Sequence, residues 1–282
     1  ITMAIPLVQQ VKQDIIQALE NDELVLPTLP EIALQVREVA ENVTSSISDL
    51  TKILGRDAAL SARMIKVANS PLIRTSSPVS DLNTAVSRLG IDLTSNLAMG
   101  LAMEQMFQAT SDVVDKRMRS CWSKSVEIAA SSQVLARHFT NLQPDQALLA
   151  GLIHQIGKLP ILAFAENNES LLNDSFALGK VLSVLHPSLG SYILKMWDFP
   201  EELVAVPKNY LIFDRTVDKV DYADIVQVAT LQSYAGTDHP YTKLDWTKIS
   251  SFDRLGLDPT TLIAEMEGIS EEVTETQGAL GG

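Results

Sequence analysis

The stretch Leu149-Ala150-Gly151-Leu152-Ile153-His154-Gln155-Ile156-Gly157-Lys158-Leu159 reads as the centre of a helical core. Apolar residues surround one histidine, and Gly151 and Gly157 leave room for neighbouring helices to come close. Histidine is scarce, with only His138, His154, His186 and His239 in the 282 residues. A lone histidine in such surroundings is ordinarily a satisfied core residue. His154 therefore gains meaning only from what accompanies it.

Helical periodicity extends in both directions. Val8, Val11, Ile15, Ile16 and Leu19 recur at three- and four-residue spacing and predict a first amphipathic helix ending near Asn21-Asp22-Glu23. Leu26-Pro27-Thr28-Leu29-Pro30 forms a stiff entry to the next, with Pro30 suited to a helix's first turn and Ile32, Val36 and Val39 on one face. Short capped helices follow. One covers 46–54, with Asp49 as an alternative cap and Gly55 as its stop. Another starts at Asp57, runs through Leu60, Met64 and Val67, and closes at Asn69-Ser70-Pro71. Asp81 or Asn83 caps the next, which Gly90 ends, and Asp92 caps a Met-rich helix to about Phe107. A long helical pattern fills 113–139. Pro144 and Asp145 open one through Ile156 that Gly157 and Pro160 disturb.

Later helices are expected over 189–197, 201–206, 222–234 and 259–266, and Tyr210-Leu211-Ile212-Phe213 is the only stretch that tempts a strand reading, too short to decide. After Arg254 there is no Lys or Arg. Glu265, Glu267, Glu271, Glu272 and Glu275 precede a Gly-rich end, which reads as a frayed acidic helix or a disordered tail.

Composition narrows the functions. Hydrophobic residues are 46% but aromatics only 5%, which favours packed helices over a β-sandwich. A net charge of −13 repels phosphate backbones, so no nucleic acid and no membrane surface is expected as a partner. That charge also weighs against reading the helix-turn-helix-like stretch 49–70 as a DNA-binding element. The single Cys121 cannot form an internal disulfide, which fits a reducing compartment, and it reads as a small buried apolar residue. Residues 1–7 lack the basic start of a signal peptide. Gln155, Lys158 and Pro160 interrupt the apolar runs 148–153 and 159–165, below the roughly 20 residues of a membrane span. A cytoplasmic protein is expected. Met99, Met103 and Met106 read as core filler, Trp122 and Trp197 as core anchors, and Ser123 and Ser125 have no base beside them.

The segment around His154 resembles the His-Asp-Ile-Gly-Lys signature of HD-superfamily phosphohydrolases. In those enzymes the paired His and Asp bind a divalent metal that activates water against a phosphoester. Further elements are similar to HDOD domains, the HD-related output domains of bacterial signalling proteins. These are residues 26–30, ILGRDAALSARMIKVANS at 53–70, AVSRLG at 85–90, WSKS at 122–125, HPSLG at 186–190 and WDFP at 197–200. They come in the family's order over about residues 22–210. The resemblance implies an all-α, compact multi-helix bundle, with an N-terminal helical subdomain packed on an HD-like core. It divides the chain into an N-terminal helix (1–21), an HDOD domain (22–215, split into 22–110 and 111–215) and a C-terminal helical extension with an acidic tail (216–282).

Against the resemblance, the metal-site positions are degenerate. Gln155 stands where the signature has Asp, and a neutral amide is a weaker ligand than a carboxylate. Lys124 stands where family members with a Trp-x-His-Ser element have His. Its ammonium would repel a cation or take the metal's place. Asp57-Ala58 replaces the family's Asp-Pro, and Pro207-Lys208-Asn209-Tyr210 replaces a downstream His pair. His154 and His186 remain, short of the three protein ligands of a catalytic zinc site. Asp221 or, with a better fit, Asp224 could supply a third. The expectation is a signal-transduction and protein-interaction module without catalytic residues or cofactor, acting on a signalling partner and open to a small-molecule or nucleotide ligand. The alternative is a phosphohydrolase of phosphoesters or nucleotides using one divalent transition metal on His154, His186 and Asp224.

Overall fold

The computed structural model describes residues 4–21, 23–70, 73 and 77–281, and among them every regular element is a helix. Asp22 and Pro71, expected at helix ends, lie outside the described residues. Helix α1 (Ala4–Glu20) lies on α11 (Ser175–Met196). Helices α2 (Glu31–Glu41), α3 (Ile47–Leu54), α4 (Ala58–Ala68), α5 (Leu82–Leu89) and α6 (Ile91–Ala102) form the N-terminal half. The second half is built on α7 (Asp112–Phe139) and α8 (Pro144–Ile153), the most extensively packed pair, with α9 (Lys158–Glu166), α10 (Glu169–Asn173), α11 and α12 (Glu201–Asn209) around them. Then come α13 (Tyr222–Ser233), α14 (Ser250–Leu255) and α15 (Ile269–Leu280). One apolar core runs through both halves, with α6 packed on both α2 and α8.

Capping chemistry sets most of the helix starts. Ser46 caps α3 in a reciprocal box with Asp49, Asp57 accepts from the Ala59 and Leu60 amides, and Asp81 accepts from Thr84. Helix α6 departs from expectation. It starts at Ile91 behind Gly90, whose φ of 82° suits glycine, and Asp92 sits in its first turn. Trp197 donates its indole N–H to the Pro27 carbonyl (3.1 Å), tying the proline-rich entry to the end of α11. Trp122 packs on Phe107, and Met99 and Met103 are buried.

Four expectations need correction. Residues 210–213 form a helix end and turn, because Tyr210 caps α12 and Ile212 bonds back to Asn209. Residues 259–266 hold only turns and one short 3-10 segment, Ile263–Glu265. Helix α11 begins fourteen residues before the expected 189, so it runs through Pro187. Its buried residues Ala177, Leu178, Val181, Leu185, Ile193 and Leu194 on either side outweigh the bond that proline removes. The C-terminal end is a packed helix. Glu272 of α15 pairs with Arg137 and with His138 (2.6 Å) on α7, Lys66 of α4 donates to the Gly281 carbonyl (2.7 Å), and Ala279 and Leu280 are buried.

Residues Pro144–Glu166 also turn out long and apolar enough, by composition, to cross a membrane. In the fold, 83% of that window is buried, and the turn at 154–157 divides it into α8 and α9. It is the central layer of the core.

The glycines flanking His154 set how tightly that layer packs. A Cβ on Gly151 would fall 2.7 Å from the Ala129 amide nitrogen on α7, and one on Gly157 would strike the His186 carbonyl and the Gly190 backbone of α11. Backbone cannot yield as a flexible side chain does, so Gly151→Ala should lower unfolding free energy by about 3 kcal/mol. Chemical denaturation followed by circular dichroism checks it. The exposed Gly179→Ala, whose added methyl meets nothing, serves as the control.

Candidate functional site

His154 caps the end of α8, where the turn 154–157 swings the chain into α9. Its Nδ1 lies 2.5 Å from the Gly151 carbonyl. A carbonyl only accepts, so Nδ1 carries the proton and Nε2 presents a lone pair. That Nε2 is buried without a partner among the described residues. His186, on α11, holds the same tautomer. Its Nδ1–H donates to the Leu182 carbonyl (2.7 Å), and its Nε2 accepts from the Tyr210 hydroxyl (2.7 Å).

Tyr210 is the residue that joins the two histidines. Its ring stands edge-on to His154, with centroids 5.0 Å apart, and packs on His186 at 5.9 Å. Burial raises the phenol pKa well above its ordinary value, so Tyr210 stays a donor. Burial also lowers both imidazole pKa values to about 3, and the Lys158 charge adds to the effect. Both rings are neutral at physiological pH. His154 is fully buried, and His186 and Gln155 nearly so.

Gln155 and Lys158 form a polar pair, with Lys158 Nζ donating to the Gln155 Oε1 (2.9 Å). Burial pulls the Lys158 ammonium below its ordinary pKa and pushes the Cys121 thiol up, as for an unreactive core thiol. Lys124 does not enter the space between the histidines. Its ammonium pairs with Glu127 (2.8 Å), reaches the Ser233 hydroxyl (3.3 Å) and sits 4.4 Å from the centre of the Tyr234 ring. Tyr234 stacks on His239 at 3.8 Å, and Tyr241 stands edge-on to both, so the segment after α13 lays an aromatic cover beside Tyr210.

Asp224 does not serve the histidines. It is fully buried and held by Arg215 (3.1 Å) and Arg254 (2.7 Å), while it also forms a reciprocal cap with Asp221. Two guanidiniums against two carboxylates make this group neutral, the condition for burying it. Among the described residues no three His, Cys, Asp or Glu side chains converge, and Asp224 is engaged by the two arginines and not by His154 or His186. The donors present are unsuited to a divalent cation. One imidazole lone pair is taken by a phenol, no carboxylate replaces Gln155, and Lys158 and Lys124 add positive charge near His154. The sequence marked Lys124, His154, Gln155 and His186. It missed Lys158 as a member of the site and gave Tyr210 no role, although it marked the region of the absent downstream histidines.

The HDOD domain family profile matches residues 26–210. A solved structure from Shewanella amazonensis SB2B, named for an assumed metal-dependent phosphohydrolase activity, superposes with a TM-score of 0.84 at 29% identity, covering 98% of this chain and 99% of that one. An HDOD domain protein of unknown function from Geobacter sulfurreducens gives 0.66 at 20% identity over 96% of this chain and 98% of its own, a likeness of fold. An uncharacterized protein from Treponema pallidum (strain Nichols) is 23% identical over 193 residues, 64% of this chain. The chain spans about a third, 36%, of the length of that curated relative.

The neutral imidazoles make acid stability predictable. Unfolded, each histidine titrates near its ordinary 6.5, whereas folded it does so at about 3. Below about pH 6.5 the unfolded chain therefore binds protons that the fold cannot, and stability is lost progressively down to about pH 3. Each histidine contributes up to about 1.4 kcal/mol per pH unit inside that window. His186→Gln, which keeps a donor and an acceptor but cannot titrate, should reduce the slope of stability between about pH 6 and 5 by about 1 kcal/mol per unit. Denaturation midpoints across that range measure it.

Proposed function

The chain belongs to the HDOD domain family, and from that premise we propose that it is a non-catalytic signal-transduction module whose helical scaffold recognises a partner. The observation that carries the reading is the hydrogen bond from Tyr210 to His186 Nε2, which occupies a lone pair that a metal would need. The exchange of carboxylate for amide at Gln155 and the pairing of that amide with Lys158 support it. The signal reaches such a module through a protein or a small ligand, and the single cysteine fits a cytoplasmic setting.

The competing reading is a metal-dependent phosphohydrolase. In its favour stands the Nε2 of His154, the one buried imidazole nitrogen without a partner among the described residues. It would need at least two more protein ligands and an open water position.

Metal analysis of protein purified without chelator, joined to an assay with bis(p-nitrophenyl) phosphate, separates the two. The expected result is well under one equivalent of manganese, iron, nickel or zinc per chain and hydrolysis no faster than in buffer. One tightly held transition metal per chain, with turnover abolished by His154→Ala, would sink the module reading.

A further inference from the structure

Where α1 lies on α11, the two helices leave an open groove between them. It continues past the end of α1 into a second hollow lined by residues 24–26, and the two hold about 480 and 610 Å³. Ile16, Leu19, Leu189 and Tyr192 line both, so they form one surface. Along it Ile16, Val184, Met196, Tyr192 and Val25 are 44% to 75% exposed. Single exposed apolar side chains are ordinary, but a contiguous set of this size marks an interaction site.

The charges on this surface are few and ordered. In a chain of net charge −13, only two charged residues line the groove, Lys12 and Glu20, and they cancel. Both are exposed, and among the described residues neither pairs with another charge. They stand four residues before and four after Ile16, one turn away on each side along the same ridge of α1. Such a ridge is complementary to itself. Turned about a two-fold axis through Ile16, a second α1 runs antiparallel, meets Ile16 with Ile16 and sets each Lys12 against the other copy's Glu20. Laid in the groove, that second helix also covers Val184 and Tyr192 of α11. The five exposed side chains supply on the order of a few hundred Å² of apolar surface. A specific interface needs roughly 800 Å² per partner, a little over half of it apolar, so the patch is of the right size.

We propose that this groove is the interface of a homodimer, in which α1 of one copy packs antiparallel on α1 of the other with Ile16 on the axis and two Lys12–Glu20 ion pairs beside it. The groove carries no net charge, so two acidic chains can meet here despite the repulsion between their remaining surfaces. The paired charges fix the antiparallel direction, because a parallel pairing would set Lys12 on Lys12 and Glu20 on Glu20.

Sedimentation velocity of the full chain from about 1 to 100 µM tests it. The expected result is a monomer–dimer equilibrium in which the dimer predominates at the upper end. Ile16→Glu should leave a folded monomer throughout, because two carboxylates would meet on the axis. Lys12→Glu and Glu20→Lys should each weaken the dimer about tenfold, and the double variant carrying both should return to within about threefold of the unaltered chain. Repulsion between whole chains predicts otherwise, since Glu20→Lys lowers the net negative charge and would then strengthen association. Circular dichroism checks that each variant folds, and the charge series decides alone if Ile16→Glu does not. A chain still monomeric at about 100 µM gives the groove to some other occupant and overturns the proposal. A dimer indifferent to a folded Ile16→Glu, or a double variant no tighter than the single ones, overturns it equally. None of these outcomes bears on metal content or phosphodiester turnover, so this interface and the module reading fail separately.

Discussion

The second half of the fold depends on backbone contact across two glycines. Gly151 brings α8 against Ala129 of α7, and Gly157 brings the following turn against His186 and Gly190 of α11. With no side chains to hold these helices apart, the His154 imidazole is fully buried, and its Nδ1–H donates within its own turn to the Gly151 carbonyl. The depressed pKa values, the fixed tautomers and the closed surroundings of both histidines follow from that closeness. Polar side chains in so dense a region have to find their partners in each other.

They do so mostly without net charge. His186 is satisfied by a carbonyl and a phenol, and Gln155 by an ammonium whose own charge burial disfavours. Where charge is buried outright, at Asp224, two arginines and a helix cap neutralise it. A metal centre answers the same problem differently, by concentrating positive charge on an ion and surrounding it with carboxylate and imidazole. Around His154 the positive charge belongs instead to Lys158 and Lys124, and the lysine nearer the surface is diverted to Glu127 and Tyr234.

Much of this was legible in the sequence because it is local. Caps at Ser46, Asp57 and Asp81, the long α7 and the proline opening of α8 all follow from short-range chemistry that a sequence displays directly. Gln155 and Lys124 could be marked as departures by position alone. What stayed hidden depends on tertiary partners. Pro187 conceals the first half of α11, because a proline's penalty is visible in sequence and the burial that offsets it is not. The acidic run after Arg254 reads as a tail until Arg137, His138 and Lys66 are seen to receive it. Tyr210 lies in a stretch that suggests a strand, and nothing local says that its hydroxyl will meet a histidine 24 residues earlier.

The substitutions around His154 are coupled, which gives Gln155 a different weight from a single missing ligand. A carboxylate at that position would meet Lys158 before any cation and form an ion pair with it, because the ammonium is already within hydrogen-bond reach of the side chain. His186 would still give its lone pair to Tyr210, whose buried phenol keeps its proton for that bond. The aromatic cover of Tyr234, His239 and Tyr241 would still stand beside it. Gln155 and Lys158 engage each other and His186 engages Tyr210, so among these buried side chains the His154 Nε2 is left without a partner. On the proposed reading, a single carboxylate returned beside His154 would still fall short of the three protein ligands and open position of a catalytic metal site.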